Sequence, residues 1–506
     1  MAEEYIHYSA KAPIKGIDTS VPEDEMSPLN YPDGINVDTT DGKLVKAKGY
    51  TQLLAGFPDA QPVMEGVEYG DTSGVLHLAF CTQDKLIEYN SGDTWSDRSA
   101  AIAMTGDEDD AVFMVNVAGL STDRLVITNG VDVMKTWTGS GNWTNLTTTG
   151  FTTLLGKCAA GFKGHLVIGD TSEDGTLKPY RIRWSNNSDA TIWNGVTAGF
   201  LNLVEDNENS RVMTLLALRQ ALIAYKYGSI VNLTYKAGVG GIYFSANQVI
   251  ANSGAISRKG VCPVGDLDLH LMVTEDNIHI FDGFDFQRVS GNKYLGDRIK
   301  SSFFSELNWA KRGLIFCKAF PEQYKVVIIY PTGSSTVCDK ARIWDWKEDA
   351  WHTRDFTNDG YSLISVGQFF SARKALYGIN SNIMTLFSGN TDNGTAIDAN
   401  FRTKLHDFSD LDRQLGKLKK TTERVELESK GTDPQVEIAS TNNITTTPSF
   451  TTGTVVADDP SGLKINTSES IRATGRYMSL KVRDNSTTAP FEVAKYSIFF
   501  RPRGVR

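Results

Sequence analysis

The segment VLHLAFCTQDKLIEYNSGDTW, residues 75–95, contains the unit that decides the fold of this chain. Val75–Phe80 and Leu86–Tyr89 are runs of strand length, a short turn separates them, and a Gly/Asp turn leads to a tryptophan. Similar segments end at Trp143 and Trp193, so the three tryptophans are 48 and 50 residues apart. A repeat of about 40–50 residues marked by Gly and Trp is typical of propeller blades, each a small antiparallel sheet.

Looser copies of this unit follow and bring the number of predicted blades to six or seven, so residues 61–400 are predicted to form an irregular β-propeller. Beyond them the Gly/Trp unit is lost, and short strands such as KTTERVELES and EVAKYSIFFRPR follow one another. This pattern predicts an antiparallel β-sandwich over residues 401–506. Almost no segment has a sustained helical period, so the sequence predicts an all-β protein.

Residues 1–60 differ from the rest because Pro13, Pro22, Pro28 and Pro32 punctuate a polar segment. Prolines this close together exclude a long helix and a central strand. Ala2–Asn30 is therefore predicted to be an extended arm that runs over a surface. An arm without a core of its own gains stability from a neighbour, so we expect it to contact an adjacent subunit or ring, with its prolines among the contacts.

A hairpin is predicted directly after the arm, over Gly34–Tyr50. The Asp41-Gly42 pair has the composition of a tight hairpin turn. The apolar positions of its two strands are Ile35 and Val37 before the turn and Leu44 and Val45 after it.

The composition argues against several classes of protein. The chain has 51 Lys and Arg residues against 60 Asp and Glu residues, which gives a formal charge of −9. It therefore has no overall basic surplus with which to bind a polyanion. No apolar run reaches the roughly 18–20 residues of a spanning helix, and the first residues do not have the pattern of a signal peptide. The five cysteines are widely spaced in apolar surroundings and are predicted to be buried free thiols.

Motifs for the commonest chemistries do not occur in the sequence: there is no GxxxxGK[ST], HExxH, GxSxG or CxxC. P-loop phosphoryl transfer, zincin chemistry, the α/β-hydrolase reaction and a Cys-rich zinc site therefore lose their usual sequence support, and no catalytic residue or cofactor is predicted. A glycoside hydrolase or lyase stays open as an alternative, because its two carboxylates have no fixed spacing and could come from any blades that line a central channel.

Three polar groups are candidate metal sites, and ordinary structural roles are predicted for all three. Asp170–Gly175 resembles a calcium loop, but Arg181 stands where the bidentate carboxylate belongs, so an exposed acidic turn is favoured. Asp107–Asp110 is predicted to be a solvated loop. His270 and His279 have no visible third ligand and are predicted to be core or surface histidines.

Two local basic clusters stand out in the C-terminal region: Lys417, Lys419 and Lys420 form one, and Arg501 and Arg503 with Arg506 form the other. Neither cluster contains the interleaved aromatic residues of a platform for single-stranded nucleic acid. Both are predicted to be solvated edges or contacts with another subunit or partner.

Several segments resemble the tail hub, or nozzle, family of tailed bacteriophages, which includes the packaged-DNA stabilisation hub of short-tailed phages. GINVDTTDGKLVKAKGYTQL near the start and PYRIRWSNNSDATIWN in the middle are similar to family segments. LLALRQALIAYKYGSIVNLTYKAG, GAISRKGVCPVGDLDLHLMVTEDNIHIFDG and the C-terminal RYMSLKVRDNSTTAPFEVAKYSIFFRPRG are also similar to it. The resemblance thus spans most of the chain.

The resemblance implies a structural protein of the virion tail that is not an enzyme, assembled in the host cytoplasm as a six-fold homo-oligomeric ring below the portal and adaptor. It implies the head-to-tail adaptor and tail fibre, spike or plug proteins as partners, and double-stranded DNA that passes through without specific binding. The alternatives are the propeller glycoside hydrolase or lyase and a glycan-binding receptor-recognition module.

Overall fold

The computed structural model describes residues 5–503 apart from 53–56, 91–93, 100–101, 120–121, 205–209, 291, 357–362, 370–373, 380–381, 432–433, 446–447, 455–463 and 470. The described chain is built mainly of strands, and the one α-helix in these segments is α1 (Lys300–Glu306). The short 3₁₀ helices are Val239–Gly241, Gly265–Leu267, Leu295–Arg298, Trp309–Leu314, Pro321–Gln323 and Leu415–Lys417. No helix in this part of the chain is long and apolar enough to cross a membrane.

The first four blades are four-stranded antiparallel sheets in which each strand pairs with the next along the chain. Blade 1 contains β6 (Val63–Gly70), β7 (Leu76–Thr82), β8 (Leu86–Asn90) and β9 (Thr94–Asp97). Blade 2 contains β10 (Phe113–Val117), β11 (Arg124–Thr128), β12 (Lys135–Trp137) and β13 (Thr144–Asn145). Blade 3 contains β14 (Leu154–Phe162), β15 (His165–Glu173), β16 (Thr176–Trp184) and β17 (Gly199–Asn202). Blade 4 contains β18 (Val212–Leu218), β19 (Ala221–Lys226), β20 (Ser229–Tyr235) and β21 (Phe244–Ala251).

The last three blades are less regular. Blade 5 has five strands, β22 (Val261–Pro263), β23 (His270–Val273), β24 (Ile278–Phe281), β25 (Phe286–Ser290) and β26 (Lys293–Tyr294). Blade 6 contains β27 (Phe316–Phe320), β28 (Lys325–Tyr330), β29 (Lys340–Asp345) and β30 (Ala350–Asp355). Blade 7 joins β31 (Leu363–Phe369), β32 (Lys374–Ile379) and β33 (Asn382–Leu386) to β5 (Tyr50–Gln52), β34 (Thr391–Asp392) and β35 (Thr395–Ala396).

The innermost strands of the seven blades form a closed ring. Contacts run from β6 to β10, β14, β18, β22, β27 and β31 in turn, and β31 packs back against β6. The predicted all-β propeller is thus confirmed, with seven blades. Blade 7 is completed by β5, in which Tyr50 pairs with Leu386. A strand from before the first blade therefore belongs to the last blade, and the predicted boundary at residue 60 falls inside the propeller's own sequence.

Trp143 packs two neighbouring blades together. Its side chain is buried, and Nε1 donates to the carbonyl oxygens of Ser99 and Ile102 at 2.9 and 2.7 Å. Ser99 and Ile102 follow blade 1, whereas Trp143 belongs to blade 2, so the indole fixes one blade to the preceding one.

The C-terminal region forms two further sheets. The first contains β1 (Ile6–Lys11), β3 (Val37–Thr40), β4 (Lys43–Lys46), β37 (Lys419–Lys430), β40 (Lys464–Glu469), β41 (Thr474–Gly475) and β43 (Glu492–Arg503). The second contains β2 (Asp33–Ile35), β36 (Ala399–Arg402), β38 (Gln435–Thr441), β39 (Phe450–Thr454) and β42 (Tyr477–Asp484). Apolar side chains of both sheets, such as Val425, Ile498, Val482 and Leu480, share one buried core, as in a β-sandwich.

The predicted hairpin forms, with β3 and β4 paired antiparallel and positive φ at both Asp41 and Gly42. Ile35, however, lies in the separate strand β2, which pairs with β36. The cause is Asn36, whose φ of 56° breaks the strand between Ile35 and Val37. The hairpin therefore supplies strands to both sheets of the sandwich.

The arm packs against this chain's own sheets, and its predicted contact with an adjacent subunit or ring stays a prediction. Strand β1 pairs with β43 from Ile6–Phe500 to Lys11–Lys495. Ile17 is buried and donates its backbone N–H to the carbonyl oxygen of Trp351 in blade 6 at 2.8 Å. The physical reason is the apolar content between the prolines, because Ala12, Ile17 and Met26 are buried within the chain.

A buried polar network holds the hairpin against blade 6. Asp38 of β3 pairs with Lys325 of β28, and the Tyr31 hydroxyl lies 3.0 Å from Nδ1 of His352. Asn36 Oδ1 accepts from Nη1 of Arg354 at 2.8 Å. These contacts join propeller and sandwich into one continuous body with a shared apolar core.

Candidate partner-binding surface

The two basic clusters of the sequence meet on adjacent strands of the sandwich. In the antiparallel pairing of β37 with β43, Lys419 lies directly opposite Arg503, and Thr421 lies opposite Arg501. Lys417 and Arg503 are exposed, and Lys419 and Arg501 are half-buried. We call Lys417, Lys419, Arg501 and Arg503 the basic edge.

Like charges that face each other across two strands repel, which is an unusual arrangement unless another group neutralises them. Among the residues that the structure describes, the Arg503 guanidinium makes one hydrogen bond, in which Nε donates to the neutral hydroxyl of Thr421 at 3.2 Å. A carboxylate from another molecule would relieve this repulsion. The basic edge is therefore a candidate surface for an acidic partner.

Arg501 is partly neutralised within the chain. Its Nη2 donates to the Tyr5 hydroxyl at 2.5 Å, and its Nε lies 3.8 Å from Oε1 of Glu423. The same carboxylate lies 3.6 Å from Nη2 of Arg472, whose side chain is 74% exposed. Glu423 is thus shared by Arg501 and Arg472.

Lys420 does not belong to the basic edge, contrary to the prediction. Its side chain is fully buried, and Nζ donates to the carbonyl oxygens of Asp407 and Arg476 at 2.8 and 2.6 Å. Burial lowers the pKa of Lys420 to about 8, with Asp407 opposing the shift and Arg476 adding to it. Strand alternation explains the difference, because residues 419 and 420 point to opposite faces of the sheet.

The three prolines predicted as contacts fall in different environments. Pro13 is buried in this chain, so it is not available to a partner, whereas Pro22 and Pro28 are exposed. Between these two, Glu23 pairs with Arg402 of β36 through both carboxylate oxygens, at 2.5 and 2.8 Å. Arg506 lies outside the described residues.

The propeller centre contains an ion pair that the sequence analysis missed. Lys259, just before β22 in blade 5, places Nζ 2.8 Å from Oε2 of Glu65 in blade 1. The ammonium also lies 3.7 Å from the centroid of the Phe113 ring in blade 2. Burial lowers the pKa of Lys259, and the charge of Lys318 adds to this, while Glu65 opposes it. The sequence signal was two basic residues, Arg258 and Lys259, beside small residues at the start of an innermost strand.

The central cavity has a volume of about 280 Å³ and is lined by innermost strands of blades 1 to 6. Among the described lining residues, Glu65 is the one carboxylate, and it is bonded both to Lys259 and to the backbone N–H of Met114. Glycoside hydrolysis ordinarily needs two carboxylates around the scissile bond. The described lining provides one.

The segment Asp170–Gly175 is a strand end and hairpin turn and not a cation loop. The turn at Asp174 and Gly175 is exposed, as predicted, whereas Asp170 is buried and its Oδ2 lies 2.5 Å from Nη2 of Arg258. Glu173 pairs with Arg181 and Arg183 at 2.7 and 2.8 Å. The carboxylates of Asp170 and Glu173 are thus bound by different arginines. Among the described residues, no three His, Cys, Asp or Glu side chains form a group that could hold a metal ion.

The remaining polar candidates have structural surroundings. Asp109 of the acidic loop pairs with Lys311 at 2.7 Å. His270 is buried, with Nδ1 2.7 Å from the Tyr225 hydroxyl, and burial lowers its pKa to about 4. His279 is also buried and stacks on Phe286 at 4.0 Å between ring centroids.

The cysteines are buried free thiols, as predicted. Burial raises the pKa of the Cys158 and Cys262 thiols to about 12. Thiolates are the reactive form, so these side chains are chemically inert packing groups at neutral pH.

Comparisons with known proteins match this chain to solved structures of low sequence identity. No family model matches the chain, and no curated protein matches it. Among solved structures, a streptogramin B lyase is 11% identical with a TM-score of 0.43, and the match covers 67% of this chain and 97% of that chain. The structure of U3-55K is 10% identical with a TM-score of 0.39, covering 67% of this chain and 98% of that chain.

Proposed function

We propose that this chain is the tail hub, or nozzle, of a tailed bacteriophage, a structural component of the virion and not an enzyme. Six copies would form a ring below the portal and adaptor, prolong the DNA exit channel, and anchor tail fibres, spikes or a plug. The proposal rests on the sequence resemblance that spans most of the chain, and on a fold suited to a mechanical role.

The basic edge is the structural observation that favours contact with a partner subunit. Lys419 opposite Arg503 is a cross-strand pair of like charge, which favours a role in contact with an acidic surface. The chain itself carries a net charge of −9, so acidic surface is available on a second copy of it.

The rigid junction between propeller and sandwich also supports a structural role. The arm and hairpin contribute strands to both sandwich sheets, and β5 completes blade 7. A ring subunit under mechanical load needs modules that keep their relative position, and the ion pair between Asp38 and Lys325 joins the sandwich hairpin to blade 6. The single carboxylate among the described cavity residues gives no support to the glycoside hydrolase alternative.

The test is assembly of the purified chain with the portal–adaptor complex, followed by sedimentation at two salt concentrations. We expect co-sedimentation that weakens at high salt, because contacts between exposed charges are screened. The variant Lys419→Glu should bind less, and the matched reversal Lys163→Glu, on an exposed turn of blade 3, should bind as the wild type does. Absence of binding by the wild-type chain, or of the chain from purified virions, would contradict the proposal.

A further inference from the structure

Among the residues that the structure describes, more cations than anions surround the cavity at the centre of the propeller. Arg258, Lys259 and Lys318 line it, with Glu65 as the carboxylate of the lining. Asp170 adds a second carboxylate behind the wall, where it binds Arg258 at 2.5 Å. Two acids are therefore set against three bases.

Two of the three cations have partners within the chain. Arg258 is held by Asp170 and donates Nη1 to the carbonyl oxygens of Val212 and Met213 at 3.1 and 3.3 Å. Lys259 donates to Glu65 at 2.8 Å, which uses one of its three N–H groups.

Lys318 is the cation without a counter-ion. This side chain of β27 is half-buried, and no hydrogen bond or ion pair joins its ammonium to any residue of the described segments. It lies near enough to Lys259 for its charge to lower the pKa of that ammonium. A half-buried ammonium group beside a second ammonium group is unfavourable unless an anion binds between them.

We propose that this cavity binds a small anion bearing carboxylate or phosphate oxygens, held by the ammonium groups of Lys318 and Lys259. The volume of about 280 Å³ admits an anion of the size of phosphate or citrate with water. Apolar walls from Val115, Leu216 and Val261 strengthen the attraction, because they keep the local dielectric constant low. The site is independent of the basic edge and of assembly.

The experiment is isothermal titration of the full chain with inorganic phosphate and, separately, with citrate, at constant ionic strength in chloride. Saturable binding of one anion per chain is expected for at least one probe, and the preferred probe identifies phosphate or carboxylate as the ligand chemistry. Lys318→Met should weaken that binding by about tenfold or more, since a charge-assisted hydrogen bond is lost. Lys318→Arg should retain it, and Lys163→Met, which removes an exposed ammonium on blade 3, should leave it unchanged.

Thermal unfolding of each variant separates loss of the site from loss of the fold. The anion should raise the melting temperature of the wild type and of Lys318→Arg but not of Lys318→Met. The proposal is overturned if neither anion binds the wild-type chain more tightly than chloride does, or if Lys318→Met binds as tightly as the wild type.

Discussion

Lys419 of β37 lies directly opposite Arg503 of β43, so two cations face each other across neighbouring strands at one end of the sandwich. A chain optimised for its own stability would place opposite charges in such a pair. The arrangement therefore costs some stability in the isolated chain, and contact with an acidic partner would recover it.

Reversing one charge of this pair should have opposite effects on stability and on binding. Lys419→Glu creates a cross-strand ion pair with Arg503 and should raise the free energy of unfolding of the isolated chain by about 0.5 kcal/mol. Urea titration measures this, with Lys419→Gln as the control that removes repulsion without adding attraction. A variant that is less stable than the wild type would show that the two charges do not repel in the folded chain.

The arm should stabilise the monomer. Ile17 is 3% exposed, so Ile17→Ala should lower the free energy of unfolding by roughly 2–4 kcal/mol, and Ile17→Val by about 1 kcal/mol. Because the contacts lie within one chain, both losses should be the same at low and high protein concentration. If the loss appeared only at concentrations where subunits associate, the arm would be an intersubunit element after all.

Three buried histidines should make the fold sensitive to mild acid. Burial lowers the pKa of His270 and His352 to about 4 and that of His406 to about 3, from a usual value of 6.5. The unfolded chain therefore takes up protons at these rings at a higher pH than the folded chain does. Their contribution is fully present above pH 6.5 and is lost as the pH falls toward 4.

Denaturant unfolding at about pH 7.5 and about pH 5.5 measures the effect, which should be about 1 kcal/mol for each histidine over this interval. His352→Gln should reduce the difference between the two values by that amount. His7→Gln, at an exposed position of the arm, serves as the control and should leave the difference unchanged. If the wild type, His352→Gln and His7→Gln lost equal stability between the two pH values, the buried imidazole of His352 would not be a source of the pH sensitivity.

The ion pair between Glu65 and Lys259 should be costly to break from one side. Glu65→Gln leaves the ammonium of Lys259 unpaired in the channel and should lower the free energy of unfolding by about 3 kcal/mol. The double variant Glu65→Gln, Lys259→Met should recover most of the lost unfolding free energy, because the unpaired charge of Lys259 is removed as well. Asp109→Asn, which breaks the more exposed pair with Lys311, should cost less than about 0.5 kcal/mol in the same unfolding assay. If the loss of unfolding free energy in the double variant equalled the sum of the losses in Glu65→Gln and Lys259→Met, the two side chains would not be coupled.

Local patterns were sufficient to predict the strands of the sandwich and the propeller units. EVAKYSIFFRPR, for example, is β43 from its first to its last residue. Pairings between distant segments were not predictable, because no local pattern records which strand completes a sheet. Tyr50 with Leu386, which closes blade 7, is such a pairing. Asn36 shows a different limit, because a single residue with positive φ moved Ile35 into another strand.

The candidate surface was predictable only in part, because a local sequence pattern does not record how distant strands pair. The sequence identified both basic clusters, but only the register of β37 against β43 places Lys419 opposite Arg503. It also separates Lys419 from the buried Lys420, whose partners are carbonyl groups supplied by residues 407 and 476. The ion pair between Glu65 and Lys259 needs the whole ring of blades before its two residues meet.

The most direct test of the tail hub proposal is electron microscopy of the purified chain incubated with the portal and adaptor proteins encoded in the same genome. We predict a six-fold ring of this chain on the adaptor, with Lys419 and Arg503 against an acidic surface of a neighbouring subunit. A portal–adaptor complex that stays bare at saturating concentrations of the folded chain would contradict the proposal.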